Sequence, residues 1–205
     1  KSYYFLAQKV YQYYLTHGIS IHEKESHVVD EFNKHPLLKD ERNARSIEAK
    51  EYYHLAHGFL SGMVGDYKKS YYHTRQRTEL YFDHPFKIKN NRYGYLYVLN
   101  NALITTLYAK KFTELNIYFK KLDEIRPLLK HDIEKKTAFY MRNHELSYYI
   151  DTYQWDKALA SVKIVESELP YYEKSLNEIQ KRILFVFIAF TYFSIPGTLF
   201  FSPVS

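Results

Sequence analysis

Apolar residues along this chain recur every three to four positions, the spacing of one face of an α-helix, over most of its 205 residues. The pattern predicts helices near 2–16, 22–34, 41–63, 67–82, 88–109, 112–125, 131–151, 155–168 and 172–194. No strand is expected. Tyr93–Leu99 is rich in β-favouring residues, but its apolar run continues to Leu107 with helical spacing, too long for a strand. The fold class is therefore all-α, with about nine helices.

Proline divides the pattern into units. Pro36, Pro85, Pro127 and Pro170 each follow a helical run, where a residue without an N–H cannot continue the ladder, so each reads as a helix stop. Their spacings of 49, 42 and 43 residues match two helices plus two short turns. Inside the last three intervals an aromatic opens a second helix after a short break: Tyr67 in Gly65-Asp66-Tyr67, Phe112 after Lys110-Lys111, and Trp155 in Tyr153-Gln154-Trp155. These openers are 45 and 43 residues apart, and His17-Gly18-Ile19 is a weaker copy upstream.

The segment Trp155-Asp156-Lys157-Ala158-Leu159, closing at Pro170, resembles the second helix of a tetratricopeptide (TPR) repeat. Phe112 to Pro127 has the same spacing, and Gly58 matches the small residue where the two helices of such a repeat cross closely. The period exceeds 34 residues, and Leu103 and Leu146 stand where Gly58 does, so the chain resembles a divergent, long-helix form over roughly residues 40 to 195. The resemblance implies a right-handed α-solenoid of antiparallel helix hairpins. A single array over 1–205 would have repeats near 1–36, 40–85, 86–127, 130–170 and, incomplete, 171–198, and Lys1 as the first residue suggests a fragment of a longer chain.

Composition narrows the chemistry. The absence of cysteine excludes disulfides, thiolate metal sites and cysteine nucleophiles, and suits a cytoplasmic, reducing location. The net charge of +6 reads as a solvated surface with a lysine bias. Ile183 to Phe201 carries no charge, long enough to raise a membrane span, yet the register makes Ser175–Ile195 the first helix of a further repeat, exposed for self-association where the array ends. No phosphate-binding or nucleophile-elbow motif occurs, so neither an enzyme nor a cofactor is expected. His54 and His57 share one helical face but lack a converging carboxylate, so they are expected at a helix surface with no metal bound.

In the TPR resemblance the first helix of each hairpin lines a concave groove. Fifteen residues before each opener stand Tyr52, Tyr97 and Tyr140, and twelve before the last two stand Asn100 and Asn143. By resemblance these five are the peptide-groove candidates: tyrosine offers rigid amphipathic area, and an amide can hydrogen-bond an extended backbone in both directions. The expected partner is a protein or peptide. Two other classes remain open: a helical repeat that binds nucleic acid, against which the scatter of Lys and Arg counts, and the sensor region of a larger regulator.

Overall fold

The computed structural model describes residues 2–18 and 26–195. Its α-helices are α1 (Ser2–His17), α2 (Ser26–Lys34), α3 (Ile47–Met63), α4 (Tyr67–Asp83), α5 (Pro85–Asn90), α6 (Arg92–Tyr108), α7 (Phe112–Ile125), α8 (Asp132–Tyr140), α9 (Arg142–Asp151), α10 (Trp155–Tyr172) and α11 (Glu178–Ser194). Single 3₁₀ turns lie at Glu41–Asn43, Arg126–Leu128 and Glu173–Ser175. No strand occurs among the described residues, so the fold is all-α.

Local capping explains why there are more helices than the nine expected. The window 41–63 contains two N-caps: the Asp40 carboxylate accepts from Arg42 N at 2.9 Å and starts a 3₁₀ turn, and Ser46 Oγ accepts from Ala49 N at 3.1 Å and starts α3. Within 88–109, Asn91 Oδ1 accepts from Gly94 N at 2.8 Å and separates α5 from α6. A Cβ on Gly94 would stand 2.5 Å from the Asn91 side chain, so a larger residue there must displace the capping amide. In 131–151 the ladder tightens at Met141, where the His144 N–H reaches back three residues to the Met141 carbonyl. Asn177 and Gln180 form a capping box that starts α11 at Glu178, later than the expected 172.

Pro170 is a correction to the stops expected from sequence, because α10 runs through it to Tyr172. A proline this close to a helix C-terminus removes one ladder bond without breaking a full helix, and the 3₁₀ turn at Glu173 takes over directly. At Pro85 the expected stop holds, since α4 ends at Asp83, and the proline also opens α5 at its first residue, where its N–H would have no partner anyway.

Three of the turns between helices share one geometry. Gly65, Lys110 and Tyr153 stand two residues before Tyr67, Phe112 and Trp155, with φ of 75°, 54° and 57°. In each turn the next N–H reaches back five residues, Asp66 to Ser61 O, Lys111 to Thr106 O and Gln154 to Tyr149 O, at 2.9, 3.0 and 2.8 Å. The left-handed residue itself bonds three back in every case, completing a Schellman motif. Tyr67, Phe112 and Trp155 are the first residues of α4, α7 and α10.

The chain divides into two compact units, 1–118 and 119–205, with the division inside α7, where a single array had been expected. In the first unit α3 packs between α1 and α4, and α6 lies against α4. Its core joins Leu6, Val10, Val29, Leu38, Ala56, Leu60 and Met63. Each fully buried aliphatic side chain of this kind contributes about 1.5–3 kcal/mol. The second unit centres on α9, α10 and α11, with Phe139, Leu146, Val162, Val165, Leu176 and Leu184 in its core. There α11 leaves Phe185, Val186, Phe190 and Phe193 exposed. No helix among the described residues is long and apolar enough to cross a membrane, and residues 196–201 of the uncharged stretch lie outside the described residues.

Candidate binding site

The α3–α4 hairpin is where polar chemistry is concentrated. α3 is covered on nearly every side, burying Glu51, His54, His57 and Ser61 with its apolar residues. From α4 it meets Ser70, His73, Thr74, Arg77, Thr78 and Tyr81, a stripe at helical spacing made largely of polar side chains. The helices approach closely at Gly58, where an added Cβ would stand 3.3 Å from Thr74 Oγ1, and Ser70 Oγ donates to the Gly58 carbonyl at 2.8 Å.

One end of this seam is ionic. Glu51 accepts from Tyr81 Oη at 2.8 Å and from Arg77 Nη2 at 3.3 Å, and its second oxygen pairs with Lys87 of α5 at 2.9 Å. Burial alone would raise the Glu51 carboxyl, but Arg77, Lys87 and Tyr81 outweigh it and hold the group below its ordinary value. Two cations thus face one carboxylate. The Arg77 guanidinium, in a residue 5% exposed, stacks over the Tyr97 ring at 5.6 Å, and its Nε and Nη1 have no hydrogen-bond partner.

The middle of the seam, next to Glu51, holds three imidazoles. His54, His57 and His73 are 2%, 6% and 6% exposed, which corrects the expectation that the first two lie at a helix surface. His57 Nε2 donates to the Leu38 carbonyl at 2.9 Å, and His54 and His73 share a hydrogen bond between their Nδ1 atoms at 3.1 Å. His54 Nε2 also faces a Glu41 oxygen at 3.4 Å. Burial pushes all three imidazoles below their ordinary pKa, His73 to about 3. No group of metal-ligating side chains suited to an ion occurs among the described residues.

Alongside the seam, from Arg77 and His54 to the turn at Gly62 and Tyr67, a pocket of about 60 Å³ opens between α3, α4 and α6, reached by Tyr14 of α1. His54, Arg77, Asn101 and Thr105 supply its polar groups, and Phe59 and the stacked pair Tyr67 and Tyr108 its aromatic walls. The volume suits a few ordered waters or one small side-chain group.

The five groove candidates divide between the units. Tyr52 and Tyr97 border the core of the first unit, and α1 lies against both: Tyr4 meets Tyr52 edge-on at 5.3 Å, and Tyr11 meets Tyr97 at 6.1 Å. Burial, followed by Tyr11, raises the Tyr97 hydroxyl above its ordinary pKa. Asn100 is half-buried on α6 beside them. Tyr140 and Asn143 belong to the second unit, on either side of the break at Met141, and their side chains hydrogen-bond each other. Asn143 is buried with its Oδ1 unpartnered. Sequence reasoning missed Arg77, Glu51 and His73. The helical spacing of Ser70, His73, Arg77 and Tyr81 was the available signal, hidden because those residues are mostly polar.

No family model, no curated protein and no solved structure matches the chain.

Proposed function

We propose that this protein is a non-catalytic binding scaffold built from TPR-like helix hairpins, which holds an extended segment of a protein partner. The observation that carries the reading is the threefold turn: Gly65, Lys110 and Tyr153 join successive helices with the same left-handed residue, the same backbone bonds and an aromatic opener two residues on, and α3–α4 and α9–α10 pack as hairpins about it. A hairpin that recurs at 43 to 45 residues is the unit of a helical array, and such arrays expose recurring side chains along one face. In this reading Tyr52, Tyr97 and Asn100 are the contacts the first unit offers, and Tyr140 that of the second, with Asn143 buried beside it. The pocket beside Tyr97 and Arg77 supplies a place for one side chain of the segment, as the anchored contact that dominates most interfaces. The solenoid arrangement and a cytoplasmic setting belong to the same proposal.

Tyr97 bears on both packing and recognition, so the test keeps its ring. Random peptides displayed on phage are selected against the wild-type chain, and the enriched peptides are measured against the double variant Tyr97→Phe, Asn100→Ala. The expected result is at least a tenfold loss of affinity at unchanged helicity by circular dichroism. Equal affinity for both chains, or no enriched peptide, counts against the reading.

A further inference from the structure

The three imidazoles of the first unit do more than fill its core. They tie the segment 35–46, which joins α2 to α3, onto the hairpin: His57 holds the Leu38 carbonyl, and His54 faces Glu41. The hydrogen positions follow from the partners. Leu38 O can only accept, so His57 Nε2 carries the proton and its buried Nδ1, which has no partner, is bare. The Glu41 carboxylate takes the Nε2 proton of His54, leaving His54 Nδ1 to accept from His73 Nδ1.

We propose that His54, His57 and His73 form a proton-operated latch that holds segment 35–46 against the α3–α4 hairpin and releases it when the cluster takes up more than one proton. A single proton can be accommodated, because a charged and a neutral imidazole still share one hydrogen between their Nδ1 atoms, with Glu41 as counter-charge. A second proton on that pair sets donor against donor across 3.1 Å, and one on the bare His57 Nδ1 charges the ring stacked on His73. Either places two cations among rings whose centroids lie 5.4 Å apart for His54 and His73 and 4.8 Å apart for His57 and His73.

The surroundings reinforce this asymmetry. From α3, Lys50 opposes a charge on His54, and from α4, Lys69 opposes charges on His57 and His73. Glu41 of the segment favours charge on His54 and His57. The Tyr53 ring touches all three imidazoles and Tyr72 touches His73, both of them neutral walls, and α1 contributes Tyr3 next to Tyr53. One partly exposed carboxylate therefore meets three imidazoles and two lysines. Water must reach the cluster before it can charge fully, and the segment is the element held least: Leu38 and Ala44 are its buried apolar residues, whereas α4 packs along the whole of α3.

This inference stands apart from the binding reading and is tested without a ligand. Imidazole ¹⁵N resonances and backbone amide exchange of the whole chain are followed from pH 7.5 to 4.5. The expected result is that the three imidazoles stay neutral near pH 6 and then take up two or more protons in one step. The Leu38 and Ala44 amides lose protection at that step while those of α4 keep it. Independent one-proton titrations near pH 6.5 with no change at 38 and 44 would overturn the latch, as would loss of α4 protection at the same pH. His73→Gln, which preserves a donor to His54 but cannot charge, is expected to move the step to lower pH and remove one proton from it. His57→Gln is the parallel variant. An unchanged step in a folded variant overturns the proposal.

Discussion

The hairpins α3–α4 and α9–α10 are closed by the same turn yet packed by opposite means. In the second, α10 buries Ala158, Val162 and Val165, with Ser161 its one polar member, and α9 buries Leu146 and Tyr148 beside Asn143 and Glu145. In the first, α4 presents Ser70, His73, Thr74 and Arg77 to α3. The second unit sets its ion pairs beside the α9–α10 seam: the Glu145 carboxylate on α9 is buried between Arg126 and Arg142, which reach outward to the exposed Asp123 and Glu168. A shared turn therefore fixes the connection of a hairpin, while the seam decides how it responds to mutation and to protons.

The comparison is broken most strongly at Glu51. Glu51→Ala leaves Arg77 and Lys87 without their carboxylate and should cost about 3–5 kcal/mol, because the removal strands buried charge. In the second unit, Leu146→Ala should cost about 2–5 kcal/mol by opening a cavity. Urea unfolding at two pH values separates the mechanisms: the loss from Leu146→Ala should not depend on pH.

Acid should act on the first seam. His73 is neutral in the fold, at about 3, and ordinary when unfolded, at about 6.5, so the unfolded chain binds the extra proton. Its contribution is complete above pH 6.5 and falls by about 1.4 kcal/mol per pH unit as the pH drops toward 3, with His54 and His57 acting in the same direction. Thermal unfolding should show the first unit losing stability from pH 6.5 downward. The slope should be smaller in His73→Gln.

How much of this was legible in the sequence follows from the same contrast. Apolar periodicity located α1, α4, α7 and the start of α10 closely, and the openers Tyr67, Phe112 and Trp155 fell on first helical residues. The seam of α10 was readable because Ala158, Val162 and Val165 are apolar. That of α4 was not: its buried side is polar, and its tyrosines lie partly outside it, with Tyr72 50% exposed. The surface expected for His54 and His57 failed for the same reason, since a partner on α4, His73, was needed to bury them. Helix ends were misjudged where a side chain overrode the pattern, at Asp40, Ser46 and Asn91, and at Pro170, where the last turn tolerated a missing N–H.

The smallest effects lie in the shared turn. Gly65 adopts φ of 75° without strain, whereas Lys110 and Tyr153 hold the same region with a Cβ. Gly65→Ala should cost about 1–2 kcal/mol, and Tyr153→Gly should gain up to about 1 kcal/mol, because an L-residue is strained in the left-handed region. The Tyr153 side chain is 78% exposed, so little packing is lost with it. Paired urea midpoints would show the opposite signs.

The most direct test of the contrast is hydrogen exchange of the intact chain at pH 7.5 and 5.0, corrected for intrinsic rates and read separately for segment 35–46, for α4 and for residues 142–172. The imidazoles of the polar seam predict a marked loss of protection in 35–46 at pH 5.0, with α4 and 142–172 unchanged. Equal change in 35–46 and 142–172, or greater change in 142–172, would contradict it.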